Sequence, residues 1–255
     1  MRGRMIDFGR FNPELLITNP YRWGFVDRLF SPADAADLVN TFPADHFKTV
    51  RGYDGEKGYE YEARSLIAMG ACAASRPEFL SPAWRRLAED LLSPAYRKAM
   101  ADLTGVELAE LPIEVNVFHY GRSAWLGPHV DLKDKLVTHV LYFNDAWDEG
   151  DGGCLTILRS GDMNDAVRVI PPLIGNSVVL VRSDNSWHAV SRVRDECRVS
   201  RRSVAVTFYR PGSPSTMWPA GDTAKLHHYN GARSAQGWTG AIRSWFALPF
   251  RPTRS

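Results

Sequence analysis

The chain has 255 residues, 44% of them hydrophobic and 24% charged, an ordinary balance for a water-soluble globular protein. Its 31 basic residues nearly match its 29 acidic ones, and no long run of either sign marks a nucleic-acid-binding stripe. No stretch approaches the ~20 apolar residues of a membrane span, no apolar run follows the basic N-terminus as in a secretory signal, and three scattered cysteines fit reduced thiols in a cytoplasmic protein.

Up to about residue 110 the predicted elements are mostly helical. Ser31-Pro32-Ala33-Asp34 offers a capping hydroxyl, a first-turn proline and an acid, followed by Ala36, Leu38, Val39 and Phe42 on one face. Ser81-Pro82-Ala83-Trp84 repeats the signal ahead of Leu87, Leu91 and Leu92. Ser93-Pro94 breaks that run before residues 96–103, which Gly105 closes. The polar stretch 51–62 reads as a loop.

From about Leu111 the texture changes to short β-type runs separated by turn residues. Strands are predicted at 113–120, 136–143, 154–158, 166–170, 177–181, 189–193 and 203–209, with a short segment around 129–132. Without helix-length spacers between them, the runs suit a double-sheet jelly roll rather than βαβ units. The fold class is therefore α+β, mainly β: a double-stranded β-helix core with N-terminal helices packed on it. A single domain is expected over 1–255, with helical support in 1–110, the jelly roll in 111–212 and an irregular tail in 213–255. That tail carries a short helix near 241–246 and is a candidate lid.

His129-Val130-Asp131 is the central chemical feature. Residues two apart on a strand share a face, so this imidazole and carboxylate can converge on one ion. His188, at the start of a later strand, offers a third ligand. Two imidazoles and a carboxylate leave coordination positions open, as a non-haem Fe(II) oxygenase requires. The alternative is an ordinary strand histidine beside a surface acid.

Further motifs stand around this triad in order: Phe118-His119-Tyr120, Pro128-His129-Val130-Asp131, Val140-Leu141-Tyr142-Phe143-Asn144 with Trp147, Gly152-Gly153-Cys154-Leu155, Trp187-His188-Ala189-Val190 and Arg201-Arg202-Ser203. Together they resemble the Fe(II)/2-oxoglutarate-dependent oxygenases, in the prolyl 4-hydroxylase-like branch that includes free amino-acid hydroxylases. The likeness spans roughly residues 114–212. Cys154 departs from the acid often found there in the family, a neutral change.

The resemblance implies Fe(II) on His129, Asp131 and His188, with 2-oxoglutarate chelating the metal and O2 as second co-substrate. Ascorbate would act as a stimulant. A basic residue would hold the distal carboxylate of 2-oxoglutarate, and Arg198, Arg201 and Arg202 compete for that role. Strand alternation separates Arg202 from Arg201, and Arg201 with Ser203 reproduces the family's Arg-X-Ser arrangement, so Arg201 is chosen with Arg198 as fallback. Tyr142 matches a position that donates its hydroxyl to the same carboxylate. Thr138 shares its face, and Tyr120 walls the pocket. His119 and His139 read as structural. Halogenating relatives carry Gly or Ala where this chain has Asp131, so hydroxylation of an aliphatic carbon, with release of succinate and CO2, is the implied reaction. Desaturation and ring closure use the same ligands and stay open.

For the substrate, the resemblance implies that Tyr120 faces inward, and alternation then turns Glu114 and Asn116 the same way. A carboxylate in a barrel mouth invites a cationic group such as an amine, with Asn116 fixing orientation. Arg64 is a candidate for a substrate carboxylate, and Trp218, Trp238 and Trp245 for a lid. A small polar, amine-bearing metabolite such as a free amino acid is expected, taken by a monomer or homodimer that engages neither nucleic acid nor membrane. The alternatives are a peptidyl-proline or other protein side-chain hydroxylase, a non-catalytic jelly-roll binding or sensing module, and a zinc hydrolase.

Overall fold

The computed structural model describes residues 3–53 and 58–231. Three helices form where a Ser-Pro pair starts them: α1 (Pro32–Asn40), α2 (Pro82–Leu92) and α3 (Pro94–Thr104). In each the serine hydroxyl accepts a hydrogen bond from the backbone N–H three residues on, and the proline occupies a turn where its missing N–H costs nothing. Gly105 ends α3 at φ 64°, the left-handed conformation that glycine adopts without strain.

The first hundred residues are nevertheless not mostly helical. They also supply β1 (Leu16–Ile17), β2 (Trp23–Val26), β3 (Lys48–Tyr53) and β4 (Gly58–Ile67). The stretch expected as a loop is the β3–β4 hairpin, paired from Lys48↔Ala63 to Tyr53↔Gly58. Its charge is that of a strand with two faces. Tyr61 packs on Phe118 and Tyr120, with centroids 5.4 and 5.2 Å away, while Glu60 and Glu62 take the other side of the ribbon.

The remaining strands are β5 (Ile113–Tyr120), β6 (Trp125–His129), β7 (Lys135–Tyr142), β8 (Leu155–Leu158), β9 (Ala166–Ile170), β10 (Ser177–Val181), β11 (His188–Val190) and β12 (Arg201–Tyr209). They complete one curled, twelve-stranded antiparallel sheet in the order β1-β2-β10-β7-β12-β5-β4-β6-β11-β8-β9, with β3 outside on β4. β4 bends the two halves together, because its last residues pair with β5 and its first with β6. This curl is the jelly-roll architecture expected from the strand spacing. β6 begins four residues earlier than the predicted segment and ends at His129. The helix predicted near 241–246, and with it Trp238 and Trp245, lies outside the described residues.

Alternation divides the central strands β7, β12 and β5. One face sends Val137, Leu141, Val204, Val206, Phe208, Val115 and Val117 into the main core, where Trp84, Leu87, Tyr96 and Met100 of the helices cover them. The opposite face lines a cavity. His139 and His119 belong to the core side. His139 is fully buried, its Nδ1 2.9 Å from the Tyr96 hydroxyl; His119 sits between Ser200 Oγ at 2.7 Å and the Pro43 carbonyl at 3.1 Å. Burial pulls both imidazoles down to about 3, far below the ordinary histidine value.

These depressed values make stability depend on pH. The unfolded chain takes up protons near the ordinary histidine range while the folded chain refuses them until about pH 3. The stabilisation is thus complete above ~6.5 and is lost as pH falls from there. Replacing His139 by Phe is expected to lower the slope of unfolding free energy between pH 6 and 4 by about 1.4 kcal/mol per pH unit. Denaturant titrations at several pH values measure it; an unchanged slope would show that His139 is charged or exposed.

Candidate metal and co-substrate site

His129 and His188 face each other because β6 and β11 are paired with these two residues in register. Asp131 follows just beyond the end of β6. All three side chains are buried, and each offers one ligand atom within 4.8 Å of the others. The ring nitrogens are sorted by the backbone. His129 Nδ1 lies 2.9 Å from the Gly127 carbonyl and His188 Nδ1 2.9 Å from the Ser186 carbonyl. A carbonyl only accepts, so each Nδ1 carries the proton and each Nε2 presents its lone pair, the tautomer that a metal needs.

Asp131 is held from two sides. Lys135 Nζ donates to Oδ1 at 2.8 Å and Thr138 Oγ1 to Oδ2 at 3.0 Å. Burial alone would push this carboxyl up, but the Lys135 ammonium, through its charge and its hydrogen bond, holds it well below the usual carboxylate range. A buried, ionised carboxylate between two unprotonated imidazole nitrogens is a donor set for a divalent cation such as Fe(II). Thr138, read from the sequence as a co-substrate-site residue on the face of Tyr142, donates here to the acid of the triad.

The cavity beside the triad has a volume of about 140 Å³. On its sheet wall, β12 turns Arg201, Ser203, Ala205, Thr207 and Tyr209 inward, and β5 turns Glu114, Asn116, Phe118 and Tyr120 inward. The three competing arginines separate cleanly. Arg198 is exposed, Arg202 points to the helix side against Val39 and Phe42, and only Arg201 faces the cavity. Its guanidinium is 2% exposed, lies 4.7 Å from the Tyr120 ring and 5.3 Å from the Tyr142 ring, and donates to Ser203 Oγ at 2.6 Å. Among the described residues no carboxylate reaches ion-pair distance of Arg201, and its Nε and the buried Tyr142 hydroxyl have no hydrogen-bond partner. A buried cation beside an unsatisfied phenol calls for an anion with several acceptor oxygens. The distal carboxylate of 2-oxoglutarate meets that demand.

The Gly152-Gly153 pair supports this corner. At Gly152, with φ +71°, a Cβ would sit 2.0 Å from the Arg192 carbonyl, so only glycine lets the chain pass under the end of β11. A Cβ on Gly153 would crowd Trp147 and Val193 at 3.0 Å. Asn144 joins the opposite edge to β12, donating to the Ser200 carbonyl and accepting from the Arg202 N–H, each at 2.8 Å.

The substrate candidates fare differently. Arg64 does not reach the cavity: it pairs with Val117 on the core side, and its Nη1 donates to Asp45 at 2.5 Å. Glu114 and Asn116 do line it, but the tail already engages both. Ser215 Oγ donates to one Glu114 oxygen, Tyr209 donates to the other at 3.4 Å, and the Trp218 indole donates to Asn116 at 2.7 Å. Lys48 fastens this strap, donating to the Met217 carbonyl and Asp222 and lying 4.1 Å over the Trp218 ring. Thr216 and Met217 close the cavity.

Several cavity residues escape the sequence reading, Tyr61 and Lys135 among them. Tyr61 was hidden in the stretch taken as a loop. Lys135 was hidden by a bulge: β7 advances from Lys135 to Val137 while β12 advances only from Tyr209 to Phe208, which turns Lys135 to the cavity. Simple alternation puts it with Val137 in the core, and no sequence signal marked the extra residue.

Replacing His188 by Ala should weaken binding of a divalent probe such as Co(II) about a hundredfold or more, read in the visible spectrum of the protein-bound ion. Retained affinity would mean that the ion sits elsewhere.

Residues 115–210 match the profile of the 2OG-Fe(II) oxygenase superfamily. Among curated proteins none matches the sequence. The fold is shared with a prolyl-4-hydroxylase from Pseudomonas putida, at 20% identity and TM-score 0.50 over 78% of this chain and 98% of that one. It is also shared with prolyl 4-hydroxylases from Phytophthora capsici, at 16% identity and TM-score 0.57 over 82% and 68%. A prolyl hydroxylase of Trichoplax adhaerens, solved with a hypoxia inducible factor peptide, shares it at 13% identity and TM-score 0.54 over 77% and 88%. The profile match covers the strands that carry His129, Asp131, His188 and Arg201, so this region of the chain is similar to the 2OG-Fe(II) oxygenases, and its buried His-Asp-His group is a donor set that suits Fe(II).

Proposed function

We propose that this protein is an Fe(II)- and 2-oxoglutarate-dependent dioxygenase that hydroxylates an aliphatic carbon of a small, amine-bearing metabolite such as a free amino acid. His129, Asp131 and His188 would hold the iron, with Lys135 and Thr138 fixing the Asp131 carboxylate. Arg201 would bind the distal carboxylate of 2-oxoglutarate, Ser203 aligning the guanidinium and Tyr142 adding its hydroxyl. Burial pushes the Tyr142 and Tyr120 phenols upward, Tyr120 to about 12, so both remain protonated: Tyr142 as a donor, Tyr120 as a neutral ring against the guanidinium. The bound iron and co-substrate supply the oxidising chemistry, with O2 consumed and succinate and CO2 released. The protein supplies alignment and a cavity from which Tyr61, Met217 and the strap exclude water.

The observation that carries the oxygenase assignment of these residues is Arg201, a buried cation facing the triad with no carboxylate at ion-pair distance among the described residues. Glu114 supports the substrate class. It is 1% exposed, and among the described residues it meets only hydroxyl donors and no basic partner at ion-pair distance. A carboxylate in that setting favours a cationic ligand. The strap across the mouth supports a small substrate over a peptide lying in an open groove. No described helix is long and apolar enough to cross a membrane.

Anaerobic addition of Fe(II) and 2-oxoglutarate should give a weak visible charge-transfer band, absent in His188→Ala. Arg201→Met should raise the 2-oxoglutarate concentration for half-formation of the band about a hundredfold, from the ~3 kcal/mol lost with one partner of a buried charge pair. No band in the wild type, or an unshifted titration in Arg201→Met, would overturn the assignment.

A further inference from the structure

The cavity holds four charges: Arg201, Asp131, Lys135 and Glu114. In the function proposed above, on which this inference rests, Arg201 is committed to the co-substrate and Asp131 to the metal. Fe(II) and the dianion of 2-oxoglutarate together bring no net charge. One cation and one anion are left over, at the far end of the cavity wall from Arg201. Glu114 lies opposite Thr207 across β5 and β12, and Lys135 opposite Tyr209 across β7 and β12. Tyr209 links the two, since its hydroxyl donates to Glu114.

We propose that Lys135 and Glu114 form a two-charge clamp for a zwitterionic substrate, Lys135 taking its carboxylate and Glu114 its ammonium group. Lys135 is anchored to Asp131 through Oδ1 alone, while Thr138 independently holds Oδ2. Its ammonium has three donors, so it can keep Asp131 aligned and still present a proton to a second carboxylate. The β7 bulge that turns Lys135 out of the apolar core sets it beside the strap that crosses Glu114 and Asn116. A ligand spanning the pair would sit under Met217, between the triad and the strap. An uncharged amide or an N-acylated amine satisfies only one arm and leaves a buried charge unpaired, so the clamp selects against peptide substrates as well as for free amino acids.

The test uses succinate release at saturating Fe(II) and 2-oxoglutarate, with a probe panel of the proteinogenic amino acids, their C-amides and their N-acetyl derivatives. The wild type should turn over at least one free amino acid, with KM raised about tenfold or more by either modification. Lys135→Met should bring the acid and its amide to within a few-fold of each other, Lys135→Arg should keep the acid preferred, and Glu114→Gln should erase the preference for the free amine. Because Lys135→Met also removes a donor to Asp131, it is read through the ratio of acid to amide KM, which a loss of metal alignment alone would leave unchanged. Equal turnover of acid and amide by the wild type, turnover of N-acetyl amides as good as that of free amino acids, or an acid preference unchanged in Lys135→Met would overturn the clamp. A wild-type band with no turnover anywhere in the panel rejects the zwitterion while the oxygenase reading stands; absence of the band rejects both.

Discussion

A guanidinium with 2% exposure sits at the end of β12, and the structure around it is arranged to make that position tolerable. Arg201 stacks between Tyr120 and Tyr142, is steadied by Ser203, and rests on a turn that only Gly152-Gly153 can make. Burying a charge without its counter-ion costs several kcal/mol even after the surroundings relax. The fold can carry that cost because the same strand sends Val204, Val206 and Phe208 into the largest apolar core of the protein. One strand thus places an unmet positive charge on one face and secures its own position with the other. The helices matter chiefly here: they cover the back of the sheet so that its front can be polar.

The cavity is graded along its length. Near Arg201 the groups suit an anion with several acceptor oxygens. At the middle the triad presents two lone pairs and an ionised carboxylate. Beyond it, Lys135 and Glu114 offer charges of both signs, with the Tyr209 hydroxyl donating to Glu114. At Asp131 a neighbour outweighs burial: burial pushes the carboxyl toward the neutral form, yet the Lys135 ammonium overrules it.

Much of this was legible in the residues. Period-two alternation alone separates Arg201 from Arg202 and turns Glu114, Asn116 and Tyr120 to one face, because strand geometry enforces it wherever the ladder is regular. Three Ser-Pro pairs announce three helices for an equally local reason. Legibility fails where a non-local event decides. Lys135 faces the cavity through a one-residue bulge whose cause lies in the pairing with β12. The β3–β4 hairpin carries too much charge to look buried, and only the curl of the sheet onto β6 places Tyr61 over the cavity. Arg64 sits on a strand that lines the site, but its register opposite Val117 puts it on the other face, where Asp45 takes it up. Thr138 has the face expected of it, but that its hydroxyl reaches Asp131 is a detail of a few ångströms that no pattern encodes.

The strap gives the chain its own competitor for the substrate site. Ser215 and Trp218 already occupy acceptors on Glu114 and Asn116, tethered there by Lys48. Any ligand that reaches those acceptors exchanges hydrogen bonds instead of adding them, so its net affinity is a difference between two sets of contacts. Such an exchange weakens every ligand but penalises the poorly matched most, since a molecule without a donor to replace the hydroxyl or the indole leaves a buried acceptor empty. Discrimination is thereby gained without a deeper pocket, at the expense of tight binding.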